Sequence, residues 1–152
     1  MQAVALLAAT LTAGLMAGVY GIFALAIMPG LRATDDRTFV AAFQAIDRAI
    51  VNPLFMLWFF GPLLFAGAAA ALIGGEGSVL PWIVAALVLS LVVVVITFAV
   101  HLPLNDAIKA ATGPDAREPF HEARWAAWNV VRAVLSTTAF GCLAWALARY
   151  SP

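Results

Sequence analysis

Long apolar runs, broken by short polar interludes, dominate the chain. Residues 80–100 form 21 consecutive positions without a charge. At about 1.5 Å of rise per helical residue, that run spans roughly 30 Å, the thickness of one hydrocarbon core. Similar runs cover 2–28, 53–73 and 133–148. The pattern predicts an all-α, integral membrane four-helix bundle. It forms one domain over 1–152, with spans near 3–28, 53–73, 80–101 and 127–148. The first run is long for a signal-peptide core and has no Lys or Arg before it, so it reads as a retained helix.

The interludes have patterns of their own. After Met28-Pro29-Gly30, Thr34 or Asp35 offers a helix N-cap, and Asp36 adds acidic character to the first turn. Phe39, Val40, Phe43, Ile46 and Ile50 then recur at helical spacing against Gln44, Asp47 and Arg48. This predicts an amphipathic interfacial helix between spans one and two. It ends at Asn52-Pro53, because proline disfavours helix at the residue before it, and Gly61-Pro62 predicts a kink in the second span. Gly74-Gly75-Glu76-Gly77-Ser78 predicts a tight turn, with Trp82 at the following interface. Between spans three and four, a loop is expected around Thr112-Gly113-Pro114-Asp115 and a helical segment over 118–128.

Composition sharpens this picture. A chain that is 64% hydrophobic, with mean hydropathy +1.00, is not a soluble domain. Zero net charge gives no basic surface for nucleic acid. The charges are uneven, however. Arg32, Arg37 and Arg48 lie between spans one and two, Lys109, Arg117 and Arg124 between three and four, and Arg149 on the opposite side. By the positive-inside rule both longer connections are cytoplasmic and both termini face outward, as expected in a bacterial inner (plasma) membrane. The single cysteine, Cys142, excludes an internal disulfide and a cysteine-cluster metal site. Gly14, Gly18 and Gly21 form a small-residue stripe suited to close helix contact, either inside the bundle or in a homo-oligomer through Gly14 and Gly18. Tyr20 lies near mid-membrane, where its hydroxyl needs a partner.

Two polar motifs remain at span ends, His101-Leu102-Pro103-Leu104-Asn105 and Trp125-Ala126-Ala127-Trp128-Asn129-Val130-Val131-Arg132. Such groups are costly beside lipid and usually face a bundle interior or an aqueous cavity. His121, Trp125, Trp128, Asn129 and Arg132 follow spacings that put them on one helical face, as do Thr97, His101 and Asn105. Gln44, Asp47 and Asn52 can approach from the first long connection. Residues 133–148 cover only about 24 Å, so Arg132 falls inside the membrane boundary and must snorkel or pair, with Asp47, Asp106 and Glu122 as the available partners. Each residue also has a structural reading: interfacial anchors at Trp125 and Trp128, a proline-freed carbonyl for Asn105, a packing histidine at His101. His101 and His121 with Asp47 or Glu122 offer a divalent-metal set, and His101 alone offers a haem ligand. The spacing singles out neither, so no cofactor, haem and a metal all stay open.

The motifs Leu102-Pro103-Leu104-Asn105, Asn52-Pro53, Trp125-x-x-Trp128-Asn129-x-x-Arg132 and Met28-Pro29-Gly30-Leu31 resemble those of the DUF1772 (anthrone oxygenase-like) family of small four-helix membrane proteins. The resemblance covers essentially the whole chain. It departs where the family commonly has Asn-Val-Pro-Leu-Asn and this chain has His101. The resemblance implies a membrane oxidoreductase that oxygenates a hydrophobic anthrone- or phenol-like molecule. On that reading His101 is the general base, Asn129 and Arg132 stabilise the enolate oxygen, and Trp125, Trp128, Asn105, Asp47 and Asn52 bind substrate. The alternative is a non-enzymatic module that binds lipid or a small molecule, or an accessory subunit of a larger membrane complex, with the polar cluster as a structural lock.

Overall fold

The computed structural model describes residues 1–74, 78–110 and 117–150. The expected turn at 75–77 and the loop at 111–116 lie outside the described residues. Five helices are present among those described: α1 (Gln2–Arg32), α2 (Asp36–Ile50), α3 (Pro53–Ile73), α4 (Leu80–Ala110) and α5 (Glu122–Arg149). All but α2 are long and apolar enough to cross a membrane. Each spanning helix packs on two others, so the ring runs α1, α3, α4, α5 and back to α1. This is the four-helix membrane bundle that the apolar runs predict.

The side chains grade from small to large along the bundle. At one end the core is rich in alanine, with Ala9, Ala13, Ala66, Ala69, Ala86 and Ala146 all buried. Small residues let helix backbones approach closely where lipid gives no hydrophobic driving force. Gly61 makes the closest such approach. A Cβ there would lie 2.7 Å from Thr12 Cγ2 on α1. Gly14 meets Phe140 of α5 within this chain, whereas no atom of the described residues lies within 4 Å of a Cβ placed at Gly18. At the other end Phe39, Phe43, Phe120 and Trp125 form an aromatic cluster. Large rings hold the helices apart there and leave room for a cavity.

Helix α2 closes that wide end. Asp35, not Thr34, is its N-cap: the carboxylate accepts the backbone N–H of Thr38 at 3.0 Å and the Thr38 hydroxyl at 2.6 Å. Those two bonds, the hydroxyl's first, hold the Asp35 carboxyl below its ordinary range. Phe39 and Phe43 bury the apolar face of α2 against Phe120, with the Phe43 and Phe120 centroids 4.5 Å apart. Gln44 donates to the Ile108 carbonyl at 2.9 Å. The amphipathic helix is thus docked on the bundle through its aromatic stripe.

Two elements run longer than expected. The chain does not leave the helix at His101 but continues through Pro103 to Ala110. A π turn at Thr97–His101, in which the Leu102 N–H reaches back five residues to the Thr97 carbonyl, absorbs the proline. Proline has no N–H and its ring crowds the carbonyl four residues back, and a wider turn relieves both problems. The same solution appears in α1, where a π turn at Phe23–Ile27 precedes Met28-Pro29. At the start of α5, residues 118–128 are not one helix. A 3-10 turn, Glu118–Phe120, ends at His121 with φ 47°, and α5 begins at Glu122. Pro62 and Gly61 lie inside α3, which continues past them to Ile73.

Because the Gly61 site has no room for a side chain, Gly61→Val is expected to destabilise the detergent-purified protein by about 1–3 kcal/mol. Gly18→Ala, facing open space, is expected to leave the thermal midpoint nearly unchanged. Equal midpoints for both variants would contradict this account of the α1–α3 contact.

Candidate functional site

Between the wide end and the middle of the bundle lies a cavity of about 260 Å³. All four spanning helices and α2 contribute to its wall. The walls are mostly aromatic and aliphatic, Phe55 and Phe59 from α3 among them, with a few polar groups converging from α4 and α5. That is the usual composition of a small-molecule site.

Two asparagines organise the polar wall. Asn105 accepts the Trp125 indole N–H at 2.8 Å and donates to Asp47 at 2.7 Å, tying α4 to α5 and α2. Asp47 is also paired with Lys109 at 3.3 Å. One turn deeper, Asn129 donates to the Tyr20 carbonyl of α1 at 3.1 Å and accepts from Arg132 at 3.0 Å. Each amide uses both its oxygen and its nitrogen. Asn105 therefore does not bond carbonyls freed by Pro103.

Arg132 does not snorkel and has no carboxylate partner among the described residues. It is 6% exposed. Its guanidinium donates to the Thr97 hydroxyl at 3.2 Å and to Asn129, and lies 4.4 Å from the centroid of the Tyr20 ring. The three carboxylates expected near it are engaged elsewhere: Asp47 with Asn105 and Lys109, Asp106 with Lys109, Glu122 with Arg32 and Arg117. The Arg132 Nε has no hydrogen-bond partner among the described residues.

His101 is the other incompletely satisfied group. It is 1% exposed and packs edge-on against Trp125, ring centroids 5.0 Å apart. Neither ring nitrogen has a hydrogen-bond partner among the described residues. The π turn ends at this residue, and such turns recur at functional sites because they rotate a side chain out of α-helical register.

The cavity brings together Thr97, His101, Asn105, Asp47, Trp125, Asn129 and Arg132, most of the residues singled out from sequence. Three others stand apart. Trp128 is 38% exposed and faces away from the cavity, because its side chain projects about 100° round the helix from that of its neighbour Asn129. Asn52 is spent as the N-cap of α3, accepting from the Phe55 N–H at 3.0 Å. His121 is exposed at the left-handed residue preceding α5. The metal set of His101 and His121 with Asp47 or Glu122 is therefore not assembled, and no group of three potential ligands occurs among the described residues. His101 is the one histidine at the cavity. Spacing gave no warning of Phe23, Phe55 and Phe59 as cavity walls; the clustering of aromatics in the first turns of α3, beside the polar motifs, was the available signal.

A sequence model of the family described as "Anthrone oxygenase" matches residues 55–142 of the chain. No curated protein and no solved structure matches it.

Trp125→Phe deletes the indole N–H and with it the bond to Asn105, together with one ring of the buried indole. The loss is expected to be about 1–3 kcal/mol, because the buried amide oxygen is left without its donor. Denaturant titration in detergent measures it, and an unchanged midpoint would show that this bond does not hold α4 to α5.

Proposed function

The chain belongs to the anthrone oxygenase family, and from that premise we propose that it is a membrane-embedded oxygenase acting on a hydrophobic aromatic molecule of anthrone or phenol type. The observation that carries the reading is His101. A buried imidazole with both nitrogens unpartnered lines an aromatic cavity beside a guanidinium. A packing histidine would normally be hydrogen-bonded, since an unpaired buried polar group is costly. This one is free to take a proton from a ligand.

The chemistry needs little else from the protein. An anthrone carries a methylene whose loss of one proton gives an electron-rich enolate, with negative charge shared between carbon and oxygen. His101 accepts the proton. Arg132 stabilises the enolate oxygen, as preorganised donors do for developing oxyanions, and Asn129 holds Arg132 in place. The carbon then reacts with dioxygen to give a hydroperoxide, with the proton returned to the distal oxygen. Loss of water converts CH–OOH to C=O. One atom of dioxygen becomes the quinone carbonyl and the other leaves as water; the methylene carbon gives up four electrons and dioxygen accepts them. Trp125, Phe55 and Phe59 supply surfaces for the flat substrate.

A second reading has its own support. Asn129 and Arg132 join α5 to α1 and α4 by direct hydrogen bonds, so the cluster also has the form of a lock in a non-enzymatic binding module. The two readings separate under substitution. With anthrone and dissolved dioxygen, His101→Ala is expected to lower quinone formation by about 10²- to 10⁴-fold, the usual contribution of a general base, while the thermal midpoint stays near that of the parent. Absence of turnover by the parent protein, with melting temperature lowered in both His101→Ala and Arg132→Ala, would favour the lock.

We further propose that the wide end faces the cytoplasm. Arg32, Arg37, Arg48, Lys109, Arg117 and Arg124 belong to segments at that end, against Arg149 at the other. Single cysteines introduced at Arg37 and Arg124 in a Cys142→Ser background are expected to resist a membrane-impermeant maleimide in intact cells and to react in inverted vesicles. The opposite pattern would reverse the orientation.

A further inference from the structure

We propose that the cavity takes up a lipophilic weak acid in its anionic form, with the negative oxygen placed on Arg132. This rests on the proposed function for the identity of the site and adds the charge state of what enters it. It requires no oxidation to occur.

The charge inventory around Arg132 carries the argument. The guanidinium is buried, and its two hydrogen-bond acceptors, the Thr97 hydroxyl and the Asn129 amide, are neutral. The ionisable groups at the cavity are few. Helix α1 brings Tyr20, α2 brings Asp47, and α4 brings His101 and Lys109, while α3 has no ionisable side chain. Among the described residues Asp47 is the sole carboxylate at the cavity, and it is paired with Lys109 and hydrogen-bonded to Asn105. The deep part of the cavity therefore holds a cation without a counter-ion. In a medium that solvates charge poorly, such a cation draws in an anion. Its free Nε–H and an N–H of His101 give that anion unfilled hydrogen bonds.

The mouth decides the rest of the ligand. Val51 and Phe98 line the cavity yet are 70% and 54% exposed, and Leu102 beside them is also exposed. Phe98 lies in the π turn of α4, Leu102 directly follows it, and Val51 follows the last turn of α2. An opening rimmed by exposed apolar side chains on a membrane-spanning bundle admits molecules dissolved in lipid, not hydrophilic anions. A hydrophobic phenol or enol meets both conditions. It crosses the mouth as the neutral acid and is held as the anion, its proton passing to His101.

The test uses the full chain in detergent with para-nitrophenol, whose anion absorbs at longer wavelength than the acid, and para-nitroanisole, the methyl ether that cannot ionise. With saturating protein, the pH at which half the bound phenol is ionised is expected to fall by at least about one unit, a tenfold gain in the anion-to-acid ratio. The ether is expected to bind at least about tenfold more weakly. Arg132→Gln should abolish the shift and Arg132→Lys should retain part of it. Binding of the phenol in its neutral form, equal binding of the ether, or no saturable binding of the phenol would each overturn the proposal, and all three are read on the parent protein. An anion shift without consumption of dioxygen by an anthrone would sink the oxygenase reading and leave this one. Turnover without a shift would do the reverse.

Discussion

A guanidinium buried within a membrane bundle has to be satisfied by whatever the surrounding helices present, and here they present only neutral oxygens and an aromatic face. Much of the wide end follows from that constraint. Asn129 must turn its oxygen to Arg132, which leaves its nitrogen for the Tyr20 carbonyl and fixes α5 against α1. Thr97 donates its hydroxyl to the Val93 carbonyl of its own helix and accepts from Arg132, which fixes α5 against α4. Tyr20 lies flat beneath the cation. Neutral partners hold Arg132 without cancelling its charge, so the charge remains available to a ligand. A carboxylate in the same place would have made a stable ion pair and an inert core.

Two prolines inside the spanning helices near the wide end, Pro29 and Pro103, contribute the geometry. Proline inside a helix ordinarily kinks or ends it, yet α1 and α4 both continue past Pro29 and Pro103 by opening one wider turn beforehand. Each π turn delivers an aromatic or imidazole ring to Trp125: Phe23 from α1 at 5.9 Å between centroids, His101 from α4 at 5.0 Å. Trp125 is thereby held on two sides by rings and at its N–H by Asn105. Opposed to this, the alanine-rich end brings the helices as close as Gly61 and Thr12 allow. A bundle pinched at one end and propped by aromatic rings at the other has its cavity at the propped end.

The spans, the amphipathic helix and the convergence of the two polar motifs were legible in the sequence, because hydrocarbon imposes length and helical periodicity imposes facing. Legibility failed where a residue's partner is set by the tertiary structure. Arg132 was expected to find Asp47, Asp106 or Glu122, each on the same membrane side. It finds none, because Lys109, Arg32 and Arg117 lie nearer to those carboxylates and hold them first. Asn52 looked like a site residue and is consumed by capping α3, a competing use that Asn-Pro at a helix start always offers. Trp128 shares a nominal face with Trp125, but the cavity is narrower than the arc that three- and four-residue spacings cover. The break at His121 lay beyond periodicity altogether, since a single left-handed residue leaves no hydrophobic pattern.

Polar clusters in membrane helices serve either as joints or as sites, and unfilled hydrogen-bonding capacity distinguishes them. A joint uses its donors and acceptors up, because any remainder is a cost that evolution can remove by an apolar substitution. Asn105 and Asn129 behave as joints: both ends of each amide are bonded. His101 and the Arg132 Nε do not, and both lie on the wall of the same cavity. The cost of keeping them unsatisfied is compensated if a ligand completes them. The chain's departure from the usual family motif falls on this point. An asparagine at position 101 would bring an amide that donates and accepts but is not a base, whereas an imidazole has a nitrogen lone pair that can bind a proton. An imidazole in the position where bonding capacity is left over is what the proposed proton transfer asks of this wall, with Arg132 beside it on the same cavity.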